Sequence, residues 1–364
     1  MPVSMRQTMF VPPSVVVAAE VLGFFHQAGL EVATVLTASS AQQRAQLLEE
    51  GMDIGVTAID NLVIWNRAGA DLRVLAQVER TTPLRLVARA AIGSLEALRG
   101  ATIGVDAVDN GFAIVLRHLL QDAGLGPQHY RFSPVGGVRE RYEALRAGEV
   151  DATLLGPPLD EMARVEGFAT VAAVEEVIPD FPGQGLVARA SRVAQAPEAF
   201  TRYLSCLEQA RQWLLAAPTE QVVELLTQAG YGPSSARAAL DLVPSTLVPS
   251  HVGLERLLVM REQLGLGPVP RVGDLYDAGA LAEGLKASSR ARIPTVLTRT
   301  AWLRVCARCS TRTAALRCSE SRSCSPNTAR LARRCWYGRT WSTVTPSPTA
   351  GSSSPWPTPP LPVR

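Results

Sequence analysis

The run LRAGEVDATLLGPP, from Leu145 to Pro158, has a looser counterpart in LLEEGMDIGVTAIDN, from Leu47 to Asn61. Each reads as a helix end, a glycine, an aspartate, a short apolar run and a polar turn. Gly51 and Gly148 stand where a helix should stop, because glycine accepts the left-handed backbone of a C-cap. The next runs, residues 54–58 and 152–155, are too short for a helix and apolar on both faces. A strand buried inside a parallel sheet has that character. A polar turn follows, Ile59-Asp60-Asn61 or Gly156-Pro157-Pro158, and then another helical pattern. Helix, strand, turn and helix make half of an α/β unit.

A second echo extends the first. Leu86-Val87-Ala88-Arg89-Ala90 recurs as Leu186-Val187-Ala188-Arg189-Ala190. Between the twins the pattern predicts strands over 102–105, 130–133 and 152–155 and helices over 112–123 and 138–147. Before the first twin it predicts strands over 7–10, 31–36 and 53–57 and helices over 15–27, 41–49 and 62–67. Two α/β lobes are expected, with the twins as the strands crossing between them. Residues 1–88 then form the first part of lobe one and 89–188 form lobe two. Residues 189–286 complete lobe one with helices over 198–216, 220–229, 234–242 and 253–264, all packing on that lobe.

Composition divides the chain. Of 364 residues, 47% are hydrophobic and the formal charge is +3. From Arg290 to Arg364, thirteen arginines against one acid, Glu320, give +12 and leave −9 for the preceding 289 residues. The same tail holds five of the six cysteines (Cys306, Cys309, Cys318, Cys324, Cys335) and is crowded with Ser, Thr and Pro. A zinc site on these cysteines is disfavoured by the spacing of the second pair and the lack of a tail histidine. Phosphate neutralisation by the arginines is a second alternative. The preferred reading is a frameshift near Ala287–Arg292 in a GC-rich gene, giving a disordered segment over 287–364. The body's single lysine, Lys286, fits the Arg-for-Lys bias of such a gene.

No uninterrupted apolar run reaches the roughly eighteen residues of a membrane span. Met1 to Met9 shows no export signal, so the chain as written reads as cytoplasmic. No GxSxG, Walker A or HExxH motif occurs. Cys206 and the four histidines show no arrangement of an activated nucleophile.

Glu20-Val-Leu-Gly-Phe-Phe-His-Gln-Ala-Gly-Leu-Glu-Val32 resembles the first-helix motif of the substrate-binding proteins of ABC importers. The branch is the one for nitrate, sulfonate, taurine and thiamine precursors. Leu95-Glu-Ala-Leu-Arg-Gly-Ala-Thr-Ile-Gly-Val105 resembles that family's start of lobe two, and Leu145 to Ala152 its "L-x-x-G-x-[IV]-D-A". The resemblance covers roughly residues 5 to 285. It implies the periplasmic-binding-protein type 2 architecture: two α/β sheets joined by two hinge strands, closing on a ligand. It also implies a periplasmic location and an ABC permease as partner. Expected with it are a monomer, no metal, no cofactor and no nucleic acid. The missing export signal and the tail depart from the family.

In open parallel sheets, ligands bind beyond the carboxyl ends of the strands, at helix N-termini. Those ends supply the candidate site: Ser39, Ser40, Asp60, Asn61, Asn110, Gly111, Phe112, Gly136, Gly137, Gly156 and Pro157. Free N–H groups at converging helix starts favour an anion. Arg80 and Arg139 are candidate partners for an acid; Asp60, Asp109 and Glu161 would favour an amine or ring N–H; Phe112 and Trp65 could stack on a flat ring. A sulfonate, carboxylate or pyrimidine is expected. The alternatives are an enzyme on the same fold, a pyrimidine synthase or a desulfinase, and a cytoplasmic ligand sensor.

Overall fold

The computed structural model describes residues 2–49, 51–109 and 111–289. Of the segment expected to be disordered, 287–364, the first residues are ordered, with 287 and 288 ending the helix Ala278–Ser288; from residue 290 onward it lies outside the described residues, as does Asn110. The strands are β1 (Val3–Met9), β2 (Leu30–Leu36), β3 (Ile54–Ala58), β4 (Leu72–Gln77), β5 (Arg85–Ala88), β6 (Thr102–Val105), β7 (Arg131–Pro134), β8 (Ala152–Leu155), β9 (Ala169–Ala173) and β10 (Gln184–Arg189). They form two five-stranded sheets, ordered β2-β1-β3-β10-β4 and β7-β6-β8-β5-β9.

The sheets share one design, which explains both sequence echoes. In each, three parallel strands are followed by one antiparallel strand, β10 or β5, and then by an edge strand. The repeated device builds β3 and β8, which occupy the same place in their sheets. Its aspartate ties the next parallel strand: Asp53 accepts the Arg6 N–H and Asp151 accepts the Thr102 N–H, each at 2.8 Å. Each aspartate is also paired with an arginine near a twin, Arg192 at 2.6 Å and Arg89 at 3.4 Å.

The twins are therefore not the crossing strands. β5 is bonded entirely within the second sheet and β10 entirely within the first. Each is the first strand laid down after the chain changes lobe, which is why they match. The crossings are residues 78–84 and 178–183, and the second sheet runs from Arg85 to Ala173, beginning four residues and ending fifteen residues earlier than the 89–188 expectation. The crossings run against each other. Val78 N–H donates to Gln184 O at 2.9 Å, and the Thr82 hydroxyl to Pro182 O at 2.9 Å. Gly183 permits this approach, since a Cβ there would lie 2.2 Å from Glu79 O.

Two further expectations change. The first helix is broken at Gly23, at φ 75°, into Ser14–Val21 and Phe24–Gln27. The helix His251–Gln263 does not pack on lobe one alone. Its Leu254 and Leu257 share a buried cluster with Ile103 and Leu116 of the second lobe, so it bridges both. The long helix Pro197–Ala216 does cover lobe one, with Tyr203 stacked on Phe25 at 4.9 Å.

Candidate functional site

The carboxyl ends of the strands of both sheets converge. The loop after β2 meets the loop after β7, where Gly137 N–H donates to Ala38 O at 2.8 Å. Beside it, the Ser40 N–H at the start of the helix Ser40–Leu48 faces both carboxylate oxygens of Asp106, at 3.1 and 3.2 Å. Asp106 follows β6, so the anion seat at this helix start is filled by the opposite lobe. Ser39 caps the same helix, its hydroxyl accepting the Gln42 N–H at 3.1 Å.

Inside this contact lies a cavity of about 160 Å³, mostly apolar, with walls from both lobes and from the crossing 78–84. Of the residues expected from sequence, Asn61, Gly111, Phe112, Gly156 and Pro157 line it. Ser39, Ser40, Gly136 and Gly137 do not: they sit at or beside the contact between the lobes. Asn110 lies outside the described residues.

Asp60 is a correction. Its carboxylate is paired with Arg261 Nη1 at 2.8 and 2.9 Å, neither side chain is exposed, and the same nitrogen donates to Asp109 O at 3.1 Å. Burial pushes the Asp60 carboxyl up to about 6, only partly offset by Arg261 and by the Gly111 N–H. The pair joins lobe one to Asp109 and Gly111 of lobe two, and Asp60 is not on the cavity wall. Trp65 is core, Glu161 pairs with Arg164 and Asp109 with Arg117 at the surface, and Arg139 is exposed. Arg80 donates to Asp241 O.

Among the described residues, three charged ones line the cavity, Glu79, Asp106 and Arg141, and all three went unnoticed in the sequence. Arg141, on the helix Val138–Ala147, is 7% exposed. It donates to Gly136 O at 3.3 Å and Leu154 O at 3.2 Å, its Nε has no partner, and it forms no ion pair among the described residues. Burial draws its guanidinium down to about 10; Asp106 and Glu140 oppose this from a distance. It remains a cation at neutral pH. Glu79, on the crossing, is half-buried and lines the cavity. Burial raises its carboxyl to about 7, against hydrogen bonds from Gln184, whose amide lies 3.2 Å away. A buried cation and a half-buried acid, neither in an ion pair among the described residues, thus share one mostly apolar chamber with Asp106, whose carboxylate faces the Ser40 N–H.

A signal for Arg141 was present. Val138, Arg141, Tyr142 and Leu145 fall at i, i+3, i+4 and i+7, so the arginine lies on the apolar stripe of its helix. The same spacing places Arg261 with Leu254, Leu257 and Leu258, and Arg211 with Leu204, Leu207 and Glu208. Those two are satisfied by Asp60 and Glu208, the latter at 2.6 Å. Arg141 alone of the three faces a cavity without a carboxylate against it.

The cysteine of the chain's body, Cys206, is buried away from the cavity, its thiol directed at Phe24 O and pushed up to about 12 by burial. No cysteine or histidine lines the cavity among the described residues.

Comparison with solved structures places this fold. The alkanesulfonate-binding protein SsuA of Xanthomonas axonopodis pv. citri, bound to MOPS, matches with a TM-score of 0.62 at 19% identity, over 76% of this chain and 99% of that one. The periplasmic nitrate-binding protein NrtA of Synechocystis PCC 6803 matches with a TM-score of 0.63 at 14% identity, over 82% and 92%. The desulfurization enzyme DSZB, as a mutant in complex with biphenyl-2-sulfinic acid, matches at 0.57 and 17%, over 79% and 100%. The fold is thus that of the solute-binding proteins of ABC importers, and it also carries an enzyme. Among curated proteins, no sequence matches significantly. The profile described as NMT1/THI5 like matches residues 14–221, and the chain belongs to that family.

Proposed function

We propose that this protein is the solute-binding component of an ABC importer and that it holds a small organic acid between its lobes, with the acid group on Arg141. The unpaired, buried guanidinium carries this reading. A charge withdrawn from water is costly unless it is paired, and here the partner is left for a ligand to supply. Guanidinium geometry suits a carboxylate or sulfonate through parallel hydrogen bonds. The chamber of about 160 Å³ matches a single six-membered ring, and Phe112, Leu84 and Leu116 offer it apolar walls. The periplasmic location and the permease partner belong to the same reading.

Binding favours the closed state over the open one, since the cavity walls come from both lobes. The relatives SsuA and NrtA, named for sulfonate and nitrate binding, support an anionic solute. DSZB supports an enzymatic alternative on the same fold. A thermal-shift screen of sulfonates, carboxylates and pyrimidines tests the proposal. A ligand at about 100 times its Kd should stabilise the protein by about 2.7 kcal/mol. A screen in which only uncharged pyrimidines stabilise it would contradict the acid reading.

A further inference from the structure

Beside Arg141 and Asp106, Glu79 is the third charged group of the chamber, and no cation among the described residues is paired with it. It forms no ion pair among the described residues, and the Gln184 side-chain amide donates to it at 3.2 Å. It lies on the outgoing crossing, whereas Gln184 opens β10 at the end of the returning one. Both line the cavity, as do Thr82 and Asn61. A purely structural acid at this place has an easy substitute, because a glutamine would keep the bond to the other crossing without a buried charge. Instead the chain places a carboxyl without an ion pair in the same chamber as a guanidinium that Asp106 and Glu140 offset only from a distance, and the two are not paired with each other. Opposite charges left apart in a low-dielectric space are best satisfied by one molecule bearing both complements.

We propose that the solute is bifunctional: its acid group rests on Arg141 and an amine or ring N–H donates to Glu79. This rests on the acid-binding reading above and narrows it to amino-substituted acids of about one ring. Glu79 then selects the solute by its hydrogen-bond donor. A plain acid of the same size would leave the Glu79 carboxyl unanswered, and a site built around a polar group discriminates strongly against the analogue that lacks its partner. Because Glu79 and Gln184 join the two crossings, the donor also engages the segment on which the lobes move.

The test compares benzoate with 2-, 3- and 4-aminobenzoate by calorimetry, on the wild-type chain and on Glu79→Gln. In the wild type the best aminobenzoate should bind at least about tenfold more tightly than benzoate, a difference of about 1.4 kcal/mol. In Glu79→Gln that ratio should fall to about threefold or less, since a glutamine amide is a weaker acceptor for an amine. Equal binding of benzoate and all three aminobenzoates by the wild type overturns the inference and leaves the acid reading standing. A ratio that persists in Glu79→Gln also overturns it, because Glu79 is then only a link between the crossings. If no acid binds, with or without the amine, the acid reading falls and this inference falls with it. The wild-type ratio decides the matter should the variant fail to fold, and Glu79→Asp, which shortens the reach to the donor, provides the second variant.

Discussion

Asp60 and Arg261, 201 residues apart in the chain, meet as an ion pair with neither side chain exposed. Through the same guanidinium nitrogen, Arg261 also holds Asp109 O of the second lobe. This pair ties lobe one, the bridging helix and Asp109 together. Replacing Asp60 with Ala leaves a buried guanidinium unpaired and should cost about 3–5 kcal/mol. Urea unfolding measures this. Asp60→Ala with Arg261→Met should recover a large part of the loss. A cost below about 1 kcal/mol for Asp60→Ala would mean that the pair does not hold the lobes, since exposed pairs contribute only that much.

Stability should fall as pH rises through neutrality, and Glu79 should account for much of that fall. Its carboxyl is raised in the folded state to about 7 from 4.5, so the folded chain binds this proton more tightly than the unfolded one. The associated stability is fully present below about pH 4.5 and is lost as pH rises through 7, by at most about 3 kcal/mol. Asp60, raised to about 6 from 3.8, acts in the same direction over a lower window. In Glu79→Gln the melting temperature, relative to wild type, should therefore rise between roughly pH 5 and 8. A parallel pair of curves over that range would refute the assignment.

Gly183 is required by space alone. A methyl group there would press on the backbone of Glu79, 2.2 Å from its carbonyl oxygen, whereas at Gly93 it would meet nothing within 4 Å. Gly183→Ala should destabilise by about 1–3 kcal/mol or more, and Gly93→Ala should stay within about 0.5 kcal/mol of wild type. Thermal unfolding of the two variants compares them directly. Equal melting temperatures would show that the crossings are not closely packed.

At the cavity mouth, a Cβ on Gly137 would lie 2.8 Å from Ala38 O across the lobes. Gly137→Val should hold the lobes apart. Small-angle scattering should give a larger radius of gyration than wild type, and affinity for a small acid should drop because the closed state is rarer. An unchanged radius with unchanged affinity would show that this contact does not report closure.

Much of the architecture was legible because it is written twice. The glycine–aspartate–apolar run gave β3 and β8, and the LVARA twins gave β10 and β5, since equivalent places in two similar sheets demand similar residues. What the twins could not reveal was direction. An apolar run of four buried residues reads alike in a parallel, antiparallel or crossing strand, so the crossings were placed a few residues too far along the chain. The site was half legible. Loop glycines at strand ends, such as Gly111 and Gly156, follow from topology. Arg141 and Glu79 do not follow from motifs. Asp60 looked like a ligand residue because its long-range partner, Arg261, is invisible in a local pattern. The rule that an arginine on an apolar helical stripe needs a partner finds Arg141, Arg211 and Arg261 alike, and only the fold shows which one faces a cavity.

Calorimetric titration of benzenesulfonate and 3-aminobenzoate into the wild type, Arg141→Gln and Arg139→Gln tests the central claim most directly. Arg139 lies two residues away on the same helix and is exposed. Arg141→Gln should weaken the tighter of the two acids by at least about tenfold, a loss of 1.4 kcal/mol or more, while Arg139→Gln stays close to wild type. Wild-type affinity in Arg141→Gln, with the fold intact by circular dichroism, would contradict the account.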